Sequence, residues 1–112
     1  MFAMLMGLKS ISPKDLHARM QQGPLTIVDV NSTQSWSRAR VPGAINLGVE
    51  FDAAALPPDT AASLVFYCSN PMCRKAPGAA RRATKLGYTD VRVMSAGITG
   101  WTDAHLPVDS GA

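Results

Sequence analysis

Two runs constrain the fold more than anything else in the chain. "LTIVDV" (25–30) and "SLVFY" (63–67) are continuous and rich in β-branched or aromatic residues. They lack the apolar–polar alternation of a strand that faces water on one side, and so fit strands buried on both faces. Helical patterns fall between the strand-like runs. "SPKDLHARMQQG" has Ser12 as N-cap, Pro13 at the first helical position, Asp15 in the first turn and Gly23 as the residue that ends it. "STQSWSRA" reads as a short helix with Trp36 turned inward. "VPGAINL" (41–47) gives a turn and a short strand, and "DAAALPPD" a short helix or loop closed by Pro57 and Pro58. In "APGAARRATKLG", Ala76, Ala79, Ala80, Ala83 and Leu86 recur at helical spacing, with Pro77 in the first turn and Gly87 at the end. "DVRVM" is a further strand, and "GITGW" (97–101) opens a final turn or helix. Strands alternating with helices predict an α/β domain on a mainly parallel sheet.

At 112 residues there is room for one core and no second domain. With 46% apolar and 17% charged residues the chain is globular in composition. The predicted organisation is an N-terminal arm (1–8), one domain (9–109) and a tail (110–112). "MFAMLMGL" is too short to span a membrane and lacks the features of a signal peptide. A net charge of +3 favours small anions near a basic patch and gives no binding motif for nucleic acid. Two cysteines without a disulfide framework point to a reducing compartment, the cytoplasm.

Both cysteines lie in "YCSNPMCRK" (67–75), directly after a buried strand and before a helix. Ligand sites in open α/β sheets lie beyond the carboxyl ends of the strands. A helix N-terminus there offers unpaired N–H groups and a favourable dipole to an anion. No Asp or Glu occurs between Asp59 and Asp90, whereas Arg74, Lys75, Arg81, Arg82 and Lys85 do. Such surroundings lower a thiol's pKa and produce a nucleophilic thiolate. Cys68 also reads as a small buried apolar residue at a strand end. The charge asymmetry and the second thiol favour chemistry.

The chain resembles a single-domain rhodanese, a sulfurtransferase module, over nearly its whole length. Three stretches carry the resemblance: "DVNSTQSWSRARVPGAINL" (29–47), "LVFYC" (64–68) and "LGYTDVRVMSAGITGW" (86–101). The resemblance implies a rhodanese-like, five-stranded sheet with helices on both faces. It implies that Cys68 carries a sulfane sulfur as a persulfide, in a binding loop of Ser69, Asn70, Pro71, Met72, Cys73, Arg74 and Lys75. Loop N–H groups would stabilise the sulfur anion, and no metal or organic cofactor is needed. The donor would be thiosulfate or another small sulfur anion, the acceptor a thiol or a protein, and the protein a monomer or weak dimer.

The loop also departs from the family pattern. Arg74 follows Cys68 after five residues instead of four, a spacing that resembles rhodanese-fold phosphatases and arsenate reductases. Against that reading, the loop holds no acid and Tyr67 stands where those enzymes commonly have His. Pro71 removes one N–H from the cradle. Cys73 is a possible resolving thiol for Cys68, which leaves open a redox-sensing, partner-binding module. Asn31 replaces a common Arg, and Ala39-Arg40 a common Gly-His, with local structural effects expected.

Outside the loop, Asp29 reads as a buried acceptor for turn N–H groups. His17 reads as solvated, and His105 has no spacing that makes it a base. Trp36 and Trp101 read as packing anchors, and Arg81, Arg82 and Lys85 as a solvated helix face or a dock for an acidic partner. Met72 is an apolar loop-tip residue at the site entrance.

Overall fold

A computed structural model describes residues 8–111; residues 1–7 of the expected arm lie outside the described residues. Five strands form the sheet: β1 (Lys9–Ser10), β2 (Thr26–Asp29), β3 (Ile45–Asn46), β4 (Ser63–Tyr67) and β5 (Asp90–Val93). Their order is β1-β5-β4-β2-β3, and every neighbouring pair is parallel. The helices are α1 (Pro13–Met20), α2 (Thr33–Arg38), α3 (Lys75–Lys85) and α4 (Gly97–Asp103), with a 3-10 turn at Ala53–Ala55. The expected parallel α/β architecture is the one observed.

The unalternating runs are explained by two cores. Successive strand side chains point to opposite faces. Along β4, Leu64, Phe66 and Cys68 join the core beneath α3, with Val28, Val30 and the buried alanines of that helix. Val65 and Tyr67 join the other core, with Leu16 of α1 and Trp101 of α4. Both faces are covered, so both must be apolar.

Local chemistry sets the helix ends. Ser12 Oγ accepts from Asp15 N at 3.1 Å, and Ser32 Oγ accepts from Ser35 N at 3.2 Å, each satisfying one unpaired amide. Gly23 does not end α1. That helix stops at Met20 with Gln21 as cap, and Gly23 turns the chain two residues later at φ 143°. Leu86 is also not a core residue: it caps α3 and is 40% exposed. The chain reverses at Gly87 (φ 106°) and Tyr88 takes the buried place, its hydroxyl donating to the Pro57 carbonyl.

Trp36 is half-buried instead of turned fully inward. Its Nε1 donates to the Ala44 carbonyl at 2.9 Å, and the Arg40 guanidinium stacks on the ring at 3.9 Å. His17 is half-buried with its ring edge-on to Trp101, so it is not simply solvated.

Neighbouring strand ends hold the buried polar centre. Asp29 and Tyr67 are register partners, both fully buried. The Tyr67 hydroxyl donates to Asp29 Oδ2 at 2.7 Å and accepts from Val41 N at 3.0 Å. Asp29 Oδ1 accepts from Asn31 N at 2.8 Å. Burial pushes the Asp29 carboxyl above its ordinary range against these hydrogen bonds, and burial together with the adjacent carboxylate pushes the tyrosine up. Removing this hydroxyl leaves two buried groups unpaired. Tyr67→Phe is expected to cost about 1–3 kcal/mol of stability, read as a lower denaturation midpoint with an unchanged m-value.

Candidate active site

Cys68 is the first residue after β4, and the direction of that strand's pleat turns its side chain toward α3. It is 3% exposed. The loop that follows is held from beneath by the start of α4. Ile98 N donates to the Cys68 carbonyl at 2.9 Å and Thr99 N to the Ser69 carbonyl at 3.0 Å. Gly97 lets the two segments approach this closely. It has φ 68°, and a Cβ there would stand 2.5 Å from the Ser69 carbonyl carbon, so any other residue would displace the loop. Ser69 Oγ donates to Asn31 Oδ1 at 2.7 Å, which ties the loop to the end of β2.

The loop folds on itself around Asn70. Its side chain accepts from Met72 N at 2.9 Å and its carbonyl from Cys73 N at 3.1 Å. Pro71 has no N–H. Three of the middle amides are therefore absent or used in the turn, and the cradle expected from Ser69 to Lys75 is narrower than the loop. Cys68 Sγ receives the amides of Ala76 and Ser69; Cys73 Sγ receives those of Lys75 and Ser69. Helix α3 has Arg74 at its N-cap with no side-chain cap, and Pro77 lacks a donor. The two sulfurs thus take the amides of the first two residues of α3, where caps usually stand. The helix dipole favours negative charge there.

The electrostatics differ from the sequence expectation. Burial pushes the Cys68 thiol up to about 11, helped by its hydrogen bond with Cys73; the Ala76 and Ser69 amides pull the other way. Desolvation dominates, and no cation is among the causes of the shift: Arg74, Lys75, Arg81, Arg82 and Lys85 are all solvent-exposed. Cys73 is half-buried. Its partial burial raises the thiol, but hydrogen bonding with Cys68, the Lys75 and Ser69 amides and the Lys75 charge bring it below its ordinary value. The Cys68 thiol is also 3.6 Å from the Cys73 carbonyl.

Cys68, Pro71, Met72, Cys73 and Arg74 line a cavity of about 350 Å³ together with Ala76, Pro77 and the end of β5, Val93 to Ser95. Met72 stands at its rim, 86% exposed. Asn70 and Lys75 do not line it. His105 is exposed in the turn after α4 and is not part of it. Ala76, Asn31 and Gly97 to Thr99 are site residues the sequence reading missed. Ala76 and Thr99 act through backbone groups that every residue type carries, so no side-chain signal marks them. Asn31 was visible only as a departure from a pattern. Among the described residues, no group of three His, Cys, Asp or Glu is placed to hold a metal, and no helix is long and apolar enough to cross a membrane.

A family model described as Rhodanese-like domain matches residues 12–104. The chain is 35% identical over 104 residues to the HTH-type transcriptional regulator Rv0324 of Mycobacterium tuberculosis, covering 92% of this chain and 46% of the regulator. It thus spans about half the length of that relative. It is 27% identical over 109 residues to thiosulfate sulfurtransferase GlpE of Haemophilus influenzae, covering 94% of this chain and 98% of that protein. The fold superposes on the crystal structure of the BH2092 protein of Bacillus halodurans with a TM-score of 0.82 at 22% identity, over 96% of this chain and 80% of the other.

Both contributions of Cys73 to Cys68, the hydrogen bond and the nearby charge, hold the Cys68 proton on. Removing them lowers the Cys68 pKa, while burial remains. In Cys73→Ala, peptide-resolved alkylation of Cys68 by iodoacetamide is expected to switch on at lower pH than in the wild type. An unchanged or higher midpoint contradicts the coupling.

Proposed function

The chain belongs to the rhodanese-like domain family, and we propose that it is a sulfurtransferase that carries sulfane sulfur on Cys68. The observation that carries this reading is the pair of amides, Ser69 and Ala76, directed at a strand-end thiol that opens on a small cavity.

The Cys68 thiolate attacks the outer sulfur of thiosulfate or of a persulfide. The donor's S–S bond breaks, sulfite or a thiolate leaves with the electron pair, and Cys68 holds a persulfide. A thiophilic acceptor, a small thiol or a protein thiol, then attacks the terminal sulfur and Cys68 leaves as thiolate. Negative charge sits on sulfur throughout. The two amides and the α3 dipole stabilise it in the manner of an oxyanion hole. They also offset the burial that keeps the resting thiol protonated. Arg74 lines the cavity and Lys75 lies beside it, so both draw anions toward the thiol. No cofactor takes part, and a reduced thiol pair suits the cytoplasm.

One observation favours a second reading, oxyanion chemistry on phosphate or arsenate: the five residues between Cys68 and Arg74. Against it, Pro71 has no donor and the Met72 and Cys73 amides close on Asn70. These three positions therefore offer a tetrahedral oxyanion no amide. A deeply buried, protonated Cys68 is what an inert, partner-binding module would also have, and the same experiment separates the three.

Reduced Cys73→Ser protein incubated with thiosulfate, or with a low-molecular-weight persulfide, is expected to gain one cyanide-removable sulfur atom by intact mass spectrometry, and Cys68→Ser to gain none. No gain with either donor overturns the sulfurtransferase reading. Cys68-dependent hydrolysis of an aryl phosphate or reduction of arsenate would then establish the second reading, and inactivity in every assay the third.

A further inference from the structure

Cys73 is absorbed by no step of the sulfur transfer above, yet it lies in contact with the sulfur carrier. Both thiols line one cavity, and the Ser69 amide is directed at both sulfurs. Cys73 packs against the same core cluster that buries Cys68. The intervening loop is closed by the Asn70 turn, which fixes Cys73 facing inward, its amide bonded at 3.1 Å.

We propose that Cys73 is a further catalytic residue that discharges the Cys68 persulfide as hydrosulfide, giving the protein a persulfide-reducing activity besides transfer to an outside acceptor. The inference rests on the sulfurtransferase reading. The Cys73 thiolate attacks the inner sulfur, Cys68 Sγ. The Sγ–Sδ bond of the persulfide breaks, its electron pair leaves with the terminal sulfur as HS⁻, and a Cys68–Cys73 disulfide forms. The two cysteine sulfurs are oxidised and the sulfane sulfur is reduced, so the step needs no other reactant. An external dithiol, by two successive exchanges, returns the pair to thiols for the next turnover.

Two features of the site suit this step. The Lys75 and Ser69 amides and the Lys75 charge, which do not depend on the Cys68 proton, favour the Cys73 thiolate as nucleophile beside Cys68 in the shared cavity. The leaving hydrosulfide departs into the cavity, which Arg74 lines. The geometry also accounts for a second cysteine in a loop whose transfer chemistry needs only one.

The test is a single-turnover experiment without oxygen. Wild type, Cys73→Ser and Cys68→Ser are loaded with stoichiometric persulfide, desalted and followed by intact mass and sulfide assay. The wild type is expected to lose the added sulfur, release one sulfide per loaded chain and end two hydrogens lighter. Cys73→Ser is expected to keep the sulfur and release no sulfide, yet to pass it to cyanide. If the wild type holds its persulfide as firmly as Cys73→Ser, the inference is overturned and the transfer reading stands. If neither protein loads, both fall. A disulfide that appears without released sulfide is plain oxidation and overturns the inference as well.

Discussion

The first two amides of α3 have no side chain to cap them, and the site depends on that vacancy. In most helices a Ser, Thr, Asp or Asn at the N-cap would accept these hydrogen bonds. Here Arg74 occupies the position and contributes none. The strand-end thiol and the loop thiol accept instead. A helix end that must be satisfied and a sulfur that must be stabilised as an anion thus solve each other's problem. The fixed ends of β4 and α3, and the loop between them, set how the amides meet the sulfurs.

The rest of the fold holds that meeting in place. From below, the first turn of α4 binds the carbonyls of Cys68 and Ser69, and Gly97 permits contact that no other residue tolerates. From the side, Ser69 is tied to Asn31, whose own amide is bound by Asp29. From the opposite face, the Tyr67 hydroxyl links Asp29 to Val41. Adjacent residues at the end of β4 therefore serve opposite layers: Cys68, just past the strand, faces α3 and the chemistry, and Tyr67 faces α1, α4 and the brace. A rigid loop suits a reaction in which charge moves among sulfur atoms over short distances, because the donors need no reorganisation.

Much of this was legible in the sequence for physical reasons. Runs such as "LTIVDV" and "SLVFY" announce strands covered on both faces, and Ser12 before Pro13 announces a helix start. The cysteine after a buried strand marks the carboxyl edge of the sheet. Charge was the less reliable guide. Five cations near Cys68 in sequence suggested an acidic thiol, but all five are solvent-exposed, and the desolvation of a 3% exposed sulfur dominates instead. Leu86 followed the helical spacing of four alanines yet lies past the last helical residue, where Gly87 turns the chain away. The amides that make the site left no trace, since donors common to all residues carry no sequence signal.

The most direct measurement is the amide NMR spectrum of uniformly ¹⁵N-labelled Cys73→Ser protein, before and after loading Cys68 with sulfur. The expected result is a downfield shift of the Ser69 and Ala76 amide protons, which point at the Cys68 sulfur, with Met72, bound to Asn70, unmoved. Shifts at Met72 with none at Ser69 or Ala76 would contradict a cradle built from the strand end and the start of α3.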